Sequence, residues 1–548
     1  MDAENIDIKR QNIGTEQFLI PERKIIATHF FGDGCSIDFW SCLNIDRADI
    51  LLDEIKTIGF NTIIILIPWT GFQIDVEPIV YYDEYFELLE QLLEKAFNKN
   101  LQVIFRVGYA YDHGVASRLR KGNLDLFFHP AGMSAWREYL RKLWSLTKGY
   151  KNFLGGFITW EDFFLLEFTH HPLEQRVKYA HGIGYQAYLR GRLTLKEVSD
   201  IYQKHFNSFD EVPIPSLGTY SLKIFCEFWD SFLVDYLYKE SVSLFPRLSM
   251  EVRVDAERIS ENEYASHDKT FDINEKSPVT FIYYSPAWGA RNDGSAELSD
   301  SLLERMRYLL AKVRESTDNH IFVDQFNFVD NTPLFEKNTT IKAEEIPEFL
   351  NGSARILKES TIGYGLWTFK DVRINVIRNG SFERAYPAWS TEGVEIRTCS
   401  DLRRAALISR NCFLRQEIRL AGEESPKKGK CFKFEMKVRP LKQPGYLKDL
   451  SIVLLDREKK EIYQKKMLCS EDITTDWVVI REELFMDNGY TLSIHNDGDP
   501  VLITSIYAYQ RVQENGIIDC EGNKKSFYET FLNMNKIILN NDESCLGN

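Results

Sequence analysis

No stretch of this chain reaches the roughly 20 consecutive apolar residues that a membrane helix needs, and the strongest run, Ile63 to Trp69, is strand-sized. The opening residues MDAENIDIKRQNIG are polar and lack the apolar centre of a signal peptide. Positive charge is not in excess: 67 Lys and Arg against 81 Asp and Glu give a net charge of −14, which argues against a nucleic-acid partner. The nine cysteines include no CxxC pair, so neither zinc nor a dithiol redox motif is indicated. An odd, unpatterned set suits reduced thiols and a cytoplasmic location, or a secreted one if a leader has been removed. There is no GxGxxG and no GxxxxGK[ST], the glycine-rich loops that cradle phosphates, and no other cofactor is implied. Internal repeats and low-complexity tracts are absent as well.

Aromatics, by contrast, are abundant: 10 Trp, 26 Tyr and 37 Phe make up 13% of the chain. Such a surplus either fills cores or lines carbohydrate sites, where ring faces stack on the C–H faces of sugars, and composition does not separate the two. At 548 residues the chain is too long for one core, so two or three domains are expected.

From about Lys24, short apolar runs alternate with amphipathic ones, the pattern of βα units on a parallel sheet. Eight strands are expected, in KIIATHFF, NTIIILIPW, LQVIFRVGYAY, GFITW, RLSMEVRVD, PVTFIYYSPAWG, HIFVDQFNF and IGYGLWTFKD. Eight such units with insertions predict a (β/α)8 barrel; a doubly wound open sheet would have fewer strands and a phosphate loop. From Asn379 the pattern becomes all-β, with strands in CFKFEMKVRP, LSIVLLDR, KKMLC, WVVIREELF, YTLSIHN and VLITSIYAYQ. That reads as a β-sandwich. The expected domains are an N-terminal extension over 1–23, the barrel over 24–377, the sandwich over 378–513 and a tail over 514–548.

In such a barrel the chemistry lies at the C-terminal ends of the strands. Those ends carry His29, Trp69, Arg106, Tyr109, Glu161 with Asp162, Arg253 with Asp255, Tyr283 and Tyr284, Trp288, Asp324 with Gln325 and Asn327, and Trp367. Glu161 ends a buried strand in FLGGFITWEDFF, and a charge there must be paired or used. It is either a catalytic acid or a helix cap and ion-pair partner. Arg106 either holds a substrate hydroxyl or makes an ion pair in the mouth. One of Tyr283 and Tyr284 points inward, to the site or to core packing. His29 reads as a satisfied buried histidine. Trp69, Trp288 and Trp367 are stacking platforms or core, with Trp367 favoured as a platform. His170 and His171 have no third ligand at metal spacing, so no metal site is expected.

This layout resembles the large clan of retaining glycoside hydrolases with (β/α)8 barrels, over roughly residues 24 to 377. In that clan a Glu ending strand four is the acid/base and a Glu ending strand seven is the nucleophile. The resemblance implies that Glu161 is the acid/base, that position 325 in IFVDQFNF is the nucleophile, and that Trp367 in GYGLWTF is the sugar-binding floor. The expected substrate-binding residues at the strand ends are Arg106, Trp160, Tyr284, Trp288 and Asn327, and the resemblance implies two catalytic groups about 5–5.5 Å apart. The insertion YQAYLRGRLTLKEVSDIYQKHFNSFDEVPIPS is similar to a segment of the family 42 β-galactosidases. Two positions depart from the clan: Trp160 stands where an Asn precedes the acid/base, and Gln325 stands at the nucleophile.

A carboxamide carries no charge to attack with. Gln325 is therefore an inactivating Glu→Gln change, or Asp324 replaces it as nucleophile, or the barrel binds sugar without cleaving it. Asp324 adjoins Gln325 and on a regular strand would face the other way, so it needs a bulge to reach the mouth. The implied activity is retaining cleavage of a β-linked glycoside. A transglycosidase and a non-catalytic carbohydrate binder are the alternatives, and a homo-oligomer is compatible with the sequence. The C-terminal sandwich resembles carbohydrate-binding jelly-roll modules through NGSFE (Asn379 to Glu383), Trp389 and Trp477. The alternative there is a purely structural domain.

Overall fold

The computed structural model describes residues 17–32, 39–108, 125–158, 168, 171–216, 218–253, 278–284, 295–328, 340–383, 388–401, 403–418, 430–441, 449–466, 477–487 and 489–540. The chain divides into two units. One comprises the chain up to Phe30, Leu52–Phe369 and the chain from Asn515; the other comprises Phe31–Leu51 and Lys370–Glu514.

The first unit is a closed barrel of eight parallel strands, as the alternating pattern predicts. They are β1 (Ile25–Phe30), β2 (Thr62–Pro68), β3 (Gln102–Gly108), β4 (Phe153–Ile158), β5 (Leu248–Arg253), β6 (Val279–Tyr284), β7 (His320–Phe326) and β8 (Gly363–Leu366). Each pairs with its neighbour in chain order, and β8 closes on β1 with Ile25 opposite Gly363. The runs are apolar throughout because helices cover the outer face while side chains fill the inner one. The helix Asp83–Asn98 shows the complementary pattern and buries Leu88, Leu89, Leu92, Leu93 and Ala96.

Period two along each strand sorts the lumen into two halves. Toward the strand starts, Ile25, Ala27, Ile64, Ile104, Leu154, Phe157, Val279, Phe281 and Phe322 form a dry core, with Phe18 packed beneath them. Phe157 stacks on Phe281 at 4.5 Å between ring centroids. Two residues further along, the same inward rows change to polar groups: Ala27 gives way to His29, Ile104 to Arg106 and Phe322 to Asp324.

Two glycines on β8 make room for this arrangement. Gly363 has φ +149° and a Cβ there would lie 1.8 Å from the Ile25 carbonyl oxygen. At Gly365 a Cβ would lie 2.5 Å from the Asp324 carbonyl oxygen and 2.5 Å from Ile64 Cδ1. Residues 515–540 belong to the barrel unit rather than standing apart. Their helix, Tyr528–Leu539, packs on the helix Ile346–Ser360. The buried Asn535 accepts from the Tyr364 hydroxyl at 2.6 Å and donates to the Ile58 carbonyl at 2.9 Å.

The second unit is all-β. A seven-strand antiparallel path runs Glu461–Lys466, Leu450–Leu455, Thr491–Asn496, Arg404–Glu417, Val501–Gln513, Lys430–Pro440, Val478–Met486. Val372–Asn375 pairs with Val501–Gln513, and Ser390–Thr398 pairs with Arg404–Glu417. Its core includes Phe382, Trp389, Phe432, Phe434, Met436, Ile452, Ile494 and Ile503. The strands Ser390–Thr398 and Arg404–Glu417 are additional to those read from the sequence. In this unit Cys42 is disulfide-bonded, so a uniformly reduced set of thiols does not hold.

Candidate functional site

The polar end of the lumen gathers His29 from β1, Arg106 from β3, Glu251 from β5, and Asp324 and Gln325 from β7. All five are buried, with Arg106, Glu251 and Asp324 fully so. Gln325 Nε2 donates to Glu251 Oε1 at 3.0 Å. A carboxylate offers only acceptors, so this contact fixes the amide's orientation. Arg106 Nη2 stands 3.8 Å from Glu251 Oε2, and both side chains are completely buried.

Asp324 and Gln325 are consecutive, yet both reach this network. The pairing of β7 with β6 shifts register between Val323 and Gln325, and the pairing with β8 shifts between Val323 and Phe326. Phe322 lies in the lumen core, so simple alternation already places Asp324 inward. After the shift Phe326 faces outward, stacked on Phe349 at 5.9 Å. The expectation that Asp324 needs a bulge is thus inverted: the irregularity is what brings Gln325 to the same face.

Burial, first, and the Glu251 charge, second, push the Asp324 carboxyl well above the usual carboxylate range, with Arg106 pulling the other way. The neutral acid form of Asp324 is accordingly the one that its surroundings favour. His29 moves in the opposite sense. Burial and then the Arg106 charge hold it well below 6.5, against a hydrogen bond to the Asp324 carbonyl. That contact, Nε2 to oxygen at 2.7 Å, has an acceptor on the backbone side, so neutral His29 carries its proton on Nε2. His29 is buried, as the sequence suggests, with Nε2 bonded to the Asp324 carbonyl.

Trp367 follows β8 and is half-buried. Its ring lies 4.8 Å from the His29 ring and 5.4 Å from the Arg106 guanidinium carbon. The peptide joining it to Thr368 is cis. A half-buried tryptophan backed by a cation keeps part of its surface for a ligand. Trp69 has none to spare: it is fully buried, donates to Gln73 Oε1 at 2.7 Å and meets Trp136 edge-on. It belongs to the core. Asn327, also buried, accepts from the Phe328 amide at 2.7 Å and so shapes the turn that ends β7.

Tyr109, Trp160, Glu161, Asp162, His170, Asp255 and Trp288 lie outside the described residues. For Arg253, Tyr283 and Tyr284 the strand backbone alone is described. No group of three or more His, Cys, Asp or Glu residues suited to a metal ion occurs among the described residues. No helix there is long and apolar enough to cross a membrane.

Sequence reasoning missed Glu251. Its signal is the alternation in LSMEVR: Leu248, Met250 and Val252 face the helices, which puts Ser249 and Glu251 inside. A single acid within a doubly covered strand marks a lumen group. In the second unit Trp389 is buried and donates to the Asn379 carbonyl at 3.1 Å. Trp477 packs against Cys399, Ala405, Leu407 and Leu502 and has the Arg439 guanidinium 4.8 Å from its ring centre.

No family model matches the chain, and no curated protein matches it. Solved structures similar to it include an exo-β-1,4-mannosidase from Opitutaceae bacterium strain TAV5, at 12% identity and a TM-score of 0.41 over 66% of this chain. The match spans 56% of that protein's length. A GH5_18 protein from Streptomyces cattleya, solved with Manβ1-4GlcNAc, is 14% identical over 64% of this chain and 72% of its own, at 0.42. An endo-1,4-β-mannanase from Rhizomucor miehei is 12% identical over 66% and 90%, at 0.40.

Proposed function

We propose that the barrel is of the retaining glycoside hydrolase type, takes β-linked glycosides at the C-terminal ends of its strands, and as it stands holds them without efficient cleavage. The observation that carries this reading is Gln325. It stands on the lumen face at the end of β7, hydrogen-bonded to Glu251, in the cluster whose His29 and Arg106 lie against Trp367. In a double displacement, Glu161 would protonate the leaving oxygen while a carboxylate at 325 attacks the anomeric carbon. The carboxamide of Gln325 is not an effective nucleophile and supplies no charge to an oxocarbenium-like state. Asp324, the other strand-seven candidate, is fully buried, and burial with the Glu251 charge pushes its carboxyl well above the usual carboxylate range, which disfavours its acting as an anion. Trp367 grips the sugar through its ring face, with the buried Arg106 behind it supplying positive charge. In the C-terminal unit, the burial of Trp389 favours a structural role for it over a sugar platform.

Calorimetric titration of the full chain with p-nitrophenyl β-D-glucoside, β-D-galactoside and β-D-mannoside tests the reading. One of these binds, and Trp367→Ala weakens that binding about tenfold or more, the loss of a stacking contact worth about 1–3 kcal/mol. Absence of binding across the panel, or binding indifferent to Trp367→Ala, contradicts the site.

A further inference from the structure

The feature of the barrel mouth that neither the motifs nor the proposed chemistry uses is Glu251. We infer that Glu251 is a positioning residue: from β5 it directs the Gln325 carboxamide and the Asp324 carboxyl of β7, and so sets how that strand end meets a ligand's hydroxyl groups. The ligand half of this inference rests on the glycoside reading; the orienting half does not.

Three observations support it. First, Glu251 accepts the Gln325 amide at 3.0 Å, so it decides which end of that amide turns away toward the rest of the site. Second, the register shift on β7 presents two consecutive side chains to the lumen, and Glu251 interacts with both. Third, Arg106 stands 3.8 Å from Glu251, and burial with the Glu251 charge pushes the Asp324 carboxyl well above the usual carboxylate range. A second anion would have no matching cation among the described groups facing Asp324. Those groups are Glu251 on β5, Arg106 on β3, Gln325 beside it, and His29 on β1, which reaches its backbone carbonyl. At 325 the carboxamide meets Glu251 with its donor end. Both oxygens of Asp324 are buried and without a hydrogen-bond partner among the described residues, which penalises the ionised form there.

The test uses the full chain and two readouts. Infrared spectra isolate the carboxylic-acid carbonyl stretch of Asp324 as the band present in wild type and missing in Asp324→Asn. Removing the neighbouring charge in Glu251→Gln makes ionised Asp324 less unfavourable beside Arg106, so the band disappears at a pH at least one unit lower. Glu251→Asp, which keeps the charge, retains the wild-type titration and serves if Glu251→Gln does not fold. An Asp324 band with the same pH dependence in wild type and Glu251→Gln, or one moved as far by Glu251→Asp, overturns the inference. Calorimetry with the p-nitrophenyl β-glycosides reads the ligand half: Glu251→Gln weakens binding at least fivefold and changes its pH profile. A shifted band with unchanged binding overturns that half. A shifted band in a wild type that binds none of the probes overturns the glycoside reading and supports the orienting role.

Discussion

Asp324 and His29 respond to burial in opposite directions, and pH separates their contributions to stability. The folded chain holds the Asp324 proton well above the unfolded value of 3.8, so it binds more protons than the unfolded chain as pH rises. Stability therefore falls from about pH 4 upward until Asp324 ionises, with a slope of at most about 1.4 kcal/mol per pH unit. His29 is held well below 6.5, so below that value the unfolded chain binds the extra proton and stability falls on acidification. Above about pH 6.5 only the Asp324 contribution remains of the two. Denaturant titrations from pH 6.5 to 9 should show stability declining in wild type and a flatter profile in Asp324→Asn. Equal slopes would mean that Asp324 is already ionised at neutral pH. At this scale the sequence marked Arg106, Asp324, Gln325 and Trp367, because polar residues ending apolar runs stand out. It hid Glu251, which lies inside a run rather than at its end, and it could not say whether Asp324 and Gln325 share a face, because a register shift leaves no local signature.

At the level of elements, the eight strands were legible because each is a short apolar run closed by turn residues, and each is covered on both faces. The strands Ser390–Thr398 and Arg404–Glu417 were not: charges interrupt both, and their burial is partial and uneven. The helix Tyr528–Leu539 reads as part of a polar, asparagine-rich tail, yet Asn535 is one of its buried residues. That asparagine's two hydrogen bonds link the helix to Tyr364 on β8 and to Ile58. Asn535→Ala leaves a buried hydroxyl and a buried carbonyl unsatisfied, at a cost of about 1–3 kcal/mol for each group. Urea unfolding should register a loss of roughly 2–5 kcal/mol, summing the two groups with some relaxation. A loss below 0.5 kcal/mol would mean that water replaces the amide. Gly365→Ala belongs to the same scale. Its methyl group would press on the Asp324 carbonyl, so it should lower the melting temperature and perturb glycoside binding together.

For the molecule as a whole, two units could be read from the switch between βα alternation and all-β text near Asn379. The division found in the fold adds what only tertiary contact can show: residues 515–540 return to the barrel, and Phe31–Leu51 groups with Lys370–Glu514. The proposed function rests on the strand-end layout. Its central claim is the proposal that the end of β7 takes the place of a glycosidase nucleophile and is silenced by a carboxamide. The rate of p-nitrophenolate release from the β-glycoside panel, compared between wild type and Gln325→Glu, tests it most directly. A carboxylate at 325 would face Glu251 across about the 3.0 Å that the amide now spans, so its pKa rises and the activity gained should strengthen above neutral pH. The account predicts a gain of roughly a hundredfold or more, abolished again by adding Glu161→Gln. A Gln325→Glu protein that is folded, binds the glycoside and releases nothing above the wild-type rate would contradict it.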